Sequence, residues 1–522
     1  MALGVVERQQ RFENPGSLLG ERLRGIYRFL AEVGDRLFPV DYFADLYKDS
    51  GRGRPTVPAR VLATVMVLQA HEGLSDQEAC DRLERDLAWQ AAAGVHTGYE
   101  AFHPTVLVGQ RNRLRASQRP RRLFEDTKAV AAEAGLLGRR ARVLDSTPVY
   151  DAVATQDTVT QLRSAIRKLL RVLDREDRSL AARVRSALSR DDDYAAAGKP
   201  PCDWDDGEAR EALVDALVRD ARAALAVLDG VQLEGAAAEA AELLALVAGQ
   251  DVEEGEDHRF RIARKVARDR VVSTVDPEAR HGHKSHNRRF DGFKGHVSVD
   301  PDSELIDEVV LTPANIPDAD AAEDLLADHA DEDTKPTVFA DSAYAGADTL
   351  ARLQGAGYDL RAKVPPASNR DGRFTKDDFT IDLGAATVGC PAGHVVAIRL
   401  GGDGGGTAGF GDHCGGCRLR ERCTTAASGR TITIHPQELL LQRAKAAQAT
   451  PEWRDAYRGT RPKVERKIAH FVRAAWGGRK ARTRGLRRVA TDLDTRAAAV
   501  NWARLATLGL RYQGGAWATA PP

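Results

Sequence analysis

Cysteine is scarce in this chain: six residues in 522, too few for a disulfide framework. Long apolar runs are missing as well. No stretch of roughly 18 apolar residues occurs, so no membrane-spanning helix is expected. The opening residues, MALGVVERQQRFENPG, contain no apolar core of a secretory leader, which points to the cytoplasm. An excess of either charge is also lacking, since 76 Lys and Arg balance 76 Asp and Glu. Taken whole, a neutral chain argues against a nucleic-acid ligand.

That average hides a segregation of charge. Between Asp203 and Asp257 there are 16 acidic residues against three basic ones, whereas Arg458–Arg488 holds 12 Lys or Arg and a single acid, Glu465. Arg259–Lys294 is a second basic stretch, 11 against four. Such blocks mark interaction surfaces or solvated helix faces. The length requires several structural units. We read them as a helical segment 1–125, a first strand region 126–154, a helical insertion 155–270, an α/β core 271–365, a cysteine-rich insertion 366–435 and C-terminal helices 436–515.

Within the first segment, the apolar run Val61–Leu68 leads to Gly73, and Ser75 with Glu78 forms a capping box for a following helix. The pair fits a helix-turn-helix or an ordinary helical hairpin, and Arg111, Arg113, Arg115 and Arg119 favour DNA. Around Arg142–Pro148 the pattern becomes a short strand ended by proline. Stripes at Leu162, Ile166, Leu169, Leu173 and at Leu213, Leu217, Ala221, Leu225, Leu228 predict helices. The runs at 295–299 and 305–311 predict an antiparallel hairpin. A helix is expected over 318–329, a buried strand over 337–341, a helix from near Ala347 and a strand over 359–364. The layout is mixed α/β.

Asp145 and Asp341 each end a short apolar run, where a sheet presents side chains to a cleft; the plainer reading is a strand-ending cap. Glu465 lies on a helix expected to start at Thr460, with Pro462 in its first turn and Arg461 one turn before the glutamate. An exposed Arg461–Glu465 ion pair is the simpler account of that spacing. Three such carboxylates are what two divalent ions about 4 Å apart need for an in-line phosphoryl displacement. Magnesium prefers carboxylate oxygens and keeps waters for exchange.

These segments together resemble the ribonuclease H-like catalytic domain of bacterial insertion-sequence DDE transposases. The matching runs are Leu144–Thr147, Asp276–Arg280 leading to Phe290–His296, Thr312–Asp318, Ala340–Tyr344 and Tyr457–Glu465. Gly53–Arg113 resembles the helical end-binding region of that family. The resemblance implies catalytic acids Asp145, Asp341 and Glu465 holding two Mg2+ or Mn2+ ions. It implies a double-stranded DNA partner, both terminal inverted repeats and target, bound by a homodimer in the nucleoid-containing cytoplasm. Arg54, Lys294, Tyr457, Arg461, Lys467 and Arg473 are the DNA-contacting candidates. The related signature has Tyr, two residues, Arg, three residues, Glu, six residues, Lys. Here three residues separate Tyr457 from Arg461, and Val472, next to Arg473, stands at the lysine position.

Cys390, Cys414, Cys417 and Cys423 have the spacing of a small zinc-ribbon-like structural site, with His394 and His413 as possible substitutes, or are simply four reduced thiols. His281, His283 and His286 resemble the zinc motif of metallo-β-lactamase-like hydrolases, but Ser285 stands where that motif has Asp. A rival of another class is a catalytically silent, transposase-derived DNA-binding protein.

Overall fold

The computed structural model describes residues 14–47, 55–138, 140–264, 267–285, 288–368, 371–402, 404–473 and 478–519. Arg54 and His286 lie outside the described residues.

Among the described residues seven helices come first: α1 (Pro15–Leu19), α2 (Gly25–Leu37), α3 (Ala59–Glu72), α4 (Asp76–Arg85), α5 (Leu87–Ala93), α6 (Thr105–Ala116) and α7 (Arg122–Glu133). α3 is buried on every side from Ala59 to Ala70, which is why its sequence reads as a continuous apolar run rather than a stripe. Gly73 ends it in the left-handed conformation, φ 73°. The capping box at α4 is formed, Ser75 accepting from Glu78 N and Glu78 from Ser75 N. This pair does not have the makings of a groove reader. α3 has no free face, and α4 exposes Gln77, Glu78 and Glu84 beside Arg82 and Arg85, no surplus of cations for phosphate.

The central sheet contains β1 (Ala141–Tyr150). After it the chain leaves for the helical insertion, α8 (Thr158–Glu176), α9 (Arg178–Ala187), α10 (Gly207–Leu228) and α11 (Gly235–Gln250). Their predicted stripes form a separate core in which Leu162, Ile166, Leu169 and Leu217 are fully buried. Helix stops at Gln250, and a short hairpin, β2 (Val252–Glu254) with β3 (Phe260–Ile262), replaces the helix expected to continue.

The sheet resumes with β4 (Arg280–Ser285), β5 (Arg288–Val299), β6 (Ile306–Pro313), β7 (Thr337–Ala340) and β8 (Asp359–Ala362). β5 runs antiparallel to β1 along 292–299 and carries β6 and then β4 on its other side. β7 and β8 continue beyond β1 in parallel, so the order reads β6-β5-β1-β7-β8. The expected hairpin is the β5–β6 pair. β1 does not stop at Pro148 but passes through it. β7 leaves β1 after Val143, so Pro148 lies where one side of the strand has no partner and a missing N–H breaks no second ladder. The helix expected over 318–329 is three short pieces, with α12 (Ala322–Leu325) between 3-10 turns. α13 (Ala347–Gly355) stands as expected.

The cysteine-rich segment makes two three-stranded sheets, from β9 (Thr380–Asp382), β10 (Thr387–Gly389), β11 (Val395–Ala397) and from β12 (Arg399–Leu400), β13 (Gly406–Gly409), β14 (Thr431–Ile434). Then come α14 (Glu438–Gln448), α15 (Pro451–Phe471) and α16 (Leu486–Thr507), and a last hairpin, β15 (Leu510–Gln513) with β16 (Ala516–Thr519). α15 starts nine residues earlier than expected: Thr450 caps it by accepting from Trp453 N, and Pro451 takes the first-turn place assigned to Pro462. Pro462 is therefore internal, on the exposed side. α16 packs against α2, α3 and α7 and also against β6. Its buried Asn501 donates to Ile306 O and to Thr127 Oγ1 and accepts from Ile306 N, so one amide ties sheet, α7 and α16 together. The N-terminal helices and one face of the sheet thus share a single core.

Candidate active site and cysteine centre

Val143 of β1 is paired with Phe339 of β7, and both belong to the core into which α15 inserts Val464, Ile468 and Phe471. Side chains alternate along strands, so Asp145 and Asp341, two residues further on, take that same face side by side. Asp341 also caps the short turn that follows, accepting from Ala343 N at 2.9 Å. Asp145 accepts from Ser146 N at 2.8 Å and pairs with Arg461 of α15 at 2.9 Å. The two side chains are only 13% and 9% exposed. Burial raises the Asp145 carboxyl above the usual carboxylate range despite Arg461, and the Asp341 charge adds to the rise. Tyr457 donates to Ala340 O at 3.0 Å and stacks on Trp453. Tyr344 is fully buried next to Asp145 and Asp341, with no hydrogen-bond partner for its hydroxyl among the described residues.

Glu465 is exposed, one turn beyond Arg461, and makes no hydrogen bond or ion pair within the described residues. Arg461 thus pairs with Asp145 and not with its neighbour on the helix. Among the described residues no group of three or more His, Cys, Asp or Glu is close enough to hold a metal ion. Two of the three expected acids are together, and the third is not yet joined to them.

Several expected DNA contacts have other partners. Ser146 and Lys294 point to the opposite face of the sheet from Asp145, where Asp318 binds both, Ser146 Oγ at 2.6 Å and Lys294 Nζ at 2.7 Å. Lys294 is therefore an internal brace behind Asp145 rather than a surface cation. Sequence reasoning overlooked Asp318, although it ends the Thr312–Asp318 run. His296 on that face is buried and held near neutral, its pKa pushed down to about 4 by burial and Lys294. Lys467 is buried and pairs with Glu304 at 3.4 Å, so it offers no free charge to phosphate. Arg473 donates to His71 O in the last turn of α3. His281 pairs with Asp291 at 2.6 Å, edge-on to His283, and among the described residues they gather no metal-binding group.

The four cysteines line one cavity of about 20 Å³ with His394 and His413, space for a single ion or water. None is in a disulfide. Leu419 N donates to Cys417 Sγ and Arg430 N to Cys414 Sγ, both at 3.4 Å. The Cys423 thiol is pushed up by burial first and by its three cysteine neighbours as well. The thiols converge, though not closely enough to form a closed metal site as they stand.

A family model described as "Transposase domain (DUF772)" matches residues 19–113, and one described as "Transposase DDE domain" matches 390–506. The second stretch contains the cysteines, Arg461 and Glu465; Asp145 and Asp341 lie outside both. No curated protein and no solved structure matches. No helix among the described residues is long and apolar enough to cross a membrane. A transposase model is thus matched near each end of the chain, and Asp145 and Asp341 lie side by side on the sheet between the two matched stretches.

Proposed function

We propose that this chain cleaves DNA at insertion-sequence ends and transfers the freed strand, with Asp145, Asp341 and Glu465 as catalytic acids. The observation that carries the reading is the placement of Asp145 and Asp341 on adjacent parallel strands, on one face, at the edge of a core covered by α15. The order β6-β5-β1-β7-β8, antiparallel then parallel, supports a ribonuclease H-like core. Asp145 and Asp341 would hold divalent ions, with Glu465 completing the set from the helix. Ions held there would supply activation of an attacking water or 3′-hydroxyl and stabilisation of the departing oxygen.

The residues present fit such a group. Asp145 is a carboxylate whose pKa burial raises, and Arg461 is the internal cation that pairs with it. Released from Asp145, Arg461 is left beside the reacting phosphate, where its planar fork suits phosphate oxygens. Asp318, Lys294 and Ser146 hold the far side of β1 and so fix the height of Asp145. We assign the cysteine cluster a structural Zn2+, which the enclosed thiols and the two N–H donors to sulfur support.

The test is nicking of DNA that carries the element ends, with Mg2+ or Mn2+. Asp145→Asn and Asp341→Asn should each lower the rate at least 100-fold while leaving DNA binding intact. Wild-type nicking by either variant refutes the assignment. Binding without nicking by the wild type favours the catalytically silent reading, for which the separation of Glu465 from the aspartates speaks.

A further inference from the structure

Resting on the transposase reading, we infer that a pocket between the N-terminal helices and the start of α16 is a seat for a DNA backbone phosphate, remote from the reacting centre. The pocket, about 430 Å³, is lined by Asn112 and Arg115 of α6, by Arg484, Arg487 and Arg488, and by Glu278. Four guanidinium groups share it, and among the described residues no carboxylate forms an ion pair with any of them. Glu278 makes no ion pair with them; its Oε2 accepts from Leu486 N at 2.8 Å, capping the first turn of α16, and its single charge leaves the four cations in excess.

The arrangement is electrostatically incomplete. Arg115 is held below the ordinary guanidinium value by burial and then by repulsion from Arg488, Arg111 and Arg487. Like charges in one recess are costly unless a polyanion enters, and arginine's five-donor fork matches phosphate oxygens. Arg487 donates to Arg115 O and Arg115 to Asn112 Oδ1, so the two halves of the pocket are fastened to each other and these two guanidiniums are held in place before any ligand arrives.

The location fits an anchor. The segment leading to α16 pairs with Tyr150, where Ala481 N donates to Tyr150 O at 2.8 Å. Tyr150 is five residues along β1 from Asp145, about 17 Å at strand rise. A duplex held in the pocket would therefore be gripped some base pairs away from the bond presented to Asp145. Specificity is not expected from this seat, because phosphate contacts position a duplex without reading its sequence.

The test is a salt titration of binding, followed by fluorescence anisotropy on a labelled DNA duplex of mixed sequence, without divalent metal so that no chemistry runs. Each phosphate contact contributes about 0.9 to the slope of log K against log salt. R484Q/R488Q should shallow that slope by about 1, the loss of the one phosphate seated there, and R115Q by no more than that. R484K/R488K should keep most of it, which separates charge from packing, and thermal melting reports whether each variant is folded. A wild-type slope in the glutamine variants overturns the seat while leaving DNA binding by the chain intact. Equal losses in the lysine and glutamine variants also overturn it, by showing a packing role. Wild-type protein with no salt-dependent DNA affinity, or one that prefers RNA, overturns the occupant together with the reading beneath it.

Discussion

Arg461 and Asp145 offer the sharpest check on the site, because their spacing in the chain and their spacing in the fold predict different partners for the arginine. Sequence alone pairs Arg461 with Glu465, an exposed contact worth under about 1 kcal/mol. In the fold Arg461 meets Asp145 at 2.9 Å with both side chains largely out of water. Two unit charges about 4 Å apart attract by about 4 kcal/mol at an effective dielectric near 20. Residual solvent lowers that, so a double-mutant cycle on Asp145→Asn and Arg461→Gln should give a coupling energy of about 2–4 kcal/mol. The parallel cycle on Glu465→Gln and Arg461→Gln should give about 0.5 kcal/mol or less. The assay is urea denaturation of metal-free protein. The pH dependence has a definite sign. Asp145's folded pKa lies above its unfolded value, so the Asp145 contribution favours folding at low pH and is lost as pH rises through the folded pKa. Arg461→Gln removes the cation opposing that rise, so its stability loss should be larger at pH 8 than at pH 5. Mg2+ should shrink the Asp145 coupling, because the ion takes over Arg461's role. A larger coupling to Glu465 than to Asp145, or none to either, would refute the reasoning.

Two other outcomes follow from named groups. Asp494 on α16 is pushed up to about 6 by burial, and Glu308 adds to the rise, although Arg121 lies 3.0 Å away. A carboxyl raised by about two units disfavours folding once ionised, so Asp494→Asn should raise stability at pH 7.5 by at most about 3 kcal/mol and change little near pH 4; equal effects at both pH values would contradict this. For the cysteine centre, elemental analysis of purified protein should find one zinc per chain, and a chelator should lower the melting temperature. Cys417→Ser should abolish both the zinc and the chelator effect, and zinc-free protein with an unaltered melting curve would remove the assignment.

What could be read from the chain, and what could not, divides along a physical line. Apolar stripes and alternation report burial one residue at a time. The β5–β6 hairpin, the strands carrying Asp145 and Asp341, and the α8 and α10 faces were therefore all visible in advance. Partnership between side chains is not a local property. Ser146 and Asp318 are 172 residues apart, and nothing in either neighbourhood announces that they share a proton. For Arg461 the local rule of one helical turn pointed to Glu465, and a carboxylate on the sheet won because burial makes its unpaired charge far more expensive than an exposed one. The expected start of α15 failed for a similar reason: two prolines, Pro451 and Pro462, both suited a first turn, and the one with a capping threonine before it prevailed.

The basic run shows the same principle at the scale of a segment. Its charge density suggested an interaction surface or a solvated helix face, and the fold contains a third answer for part of it. Arg473 and Arg482 donate to His71 O and Gly73 O, the carbonyl end of α3, where a helix presents partial negative charge and unsatisfied acceptors. Arg466 and Lys467 meet Glu304, and Arg461 meets Asp145. These contacts neutralise the run unevenly. They fasten the N-terminal helices to the segment that follows α15 and leave Arg484, Arg487 and Arg488 facing Arg115 with one carboxylate, Glu278, among four cations. A chain of zero net charge can therefore hold a polyanion, because what decides binding is the charge left over after internal pairing, at the place where the surface is concave.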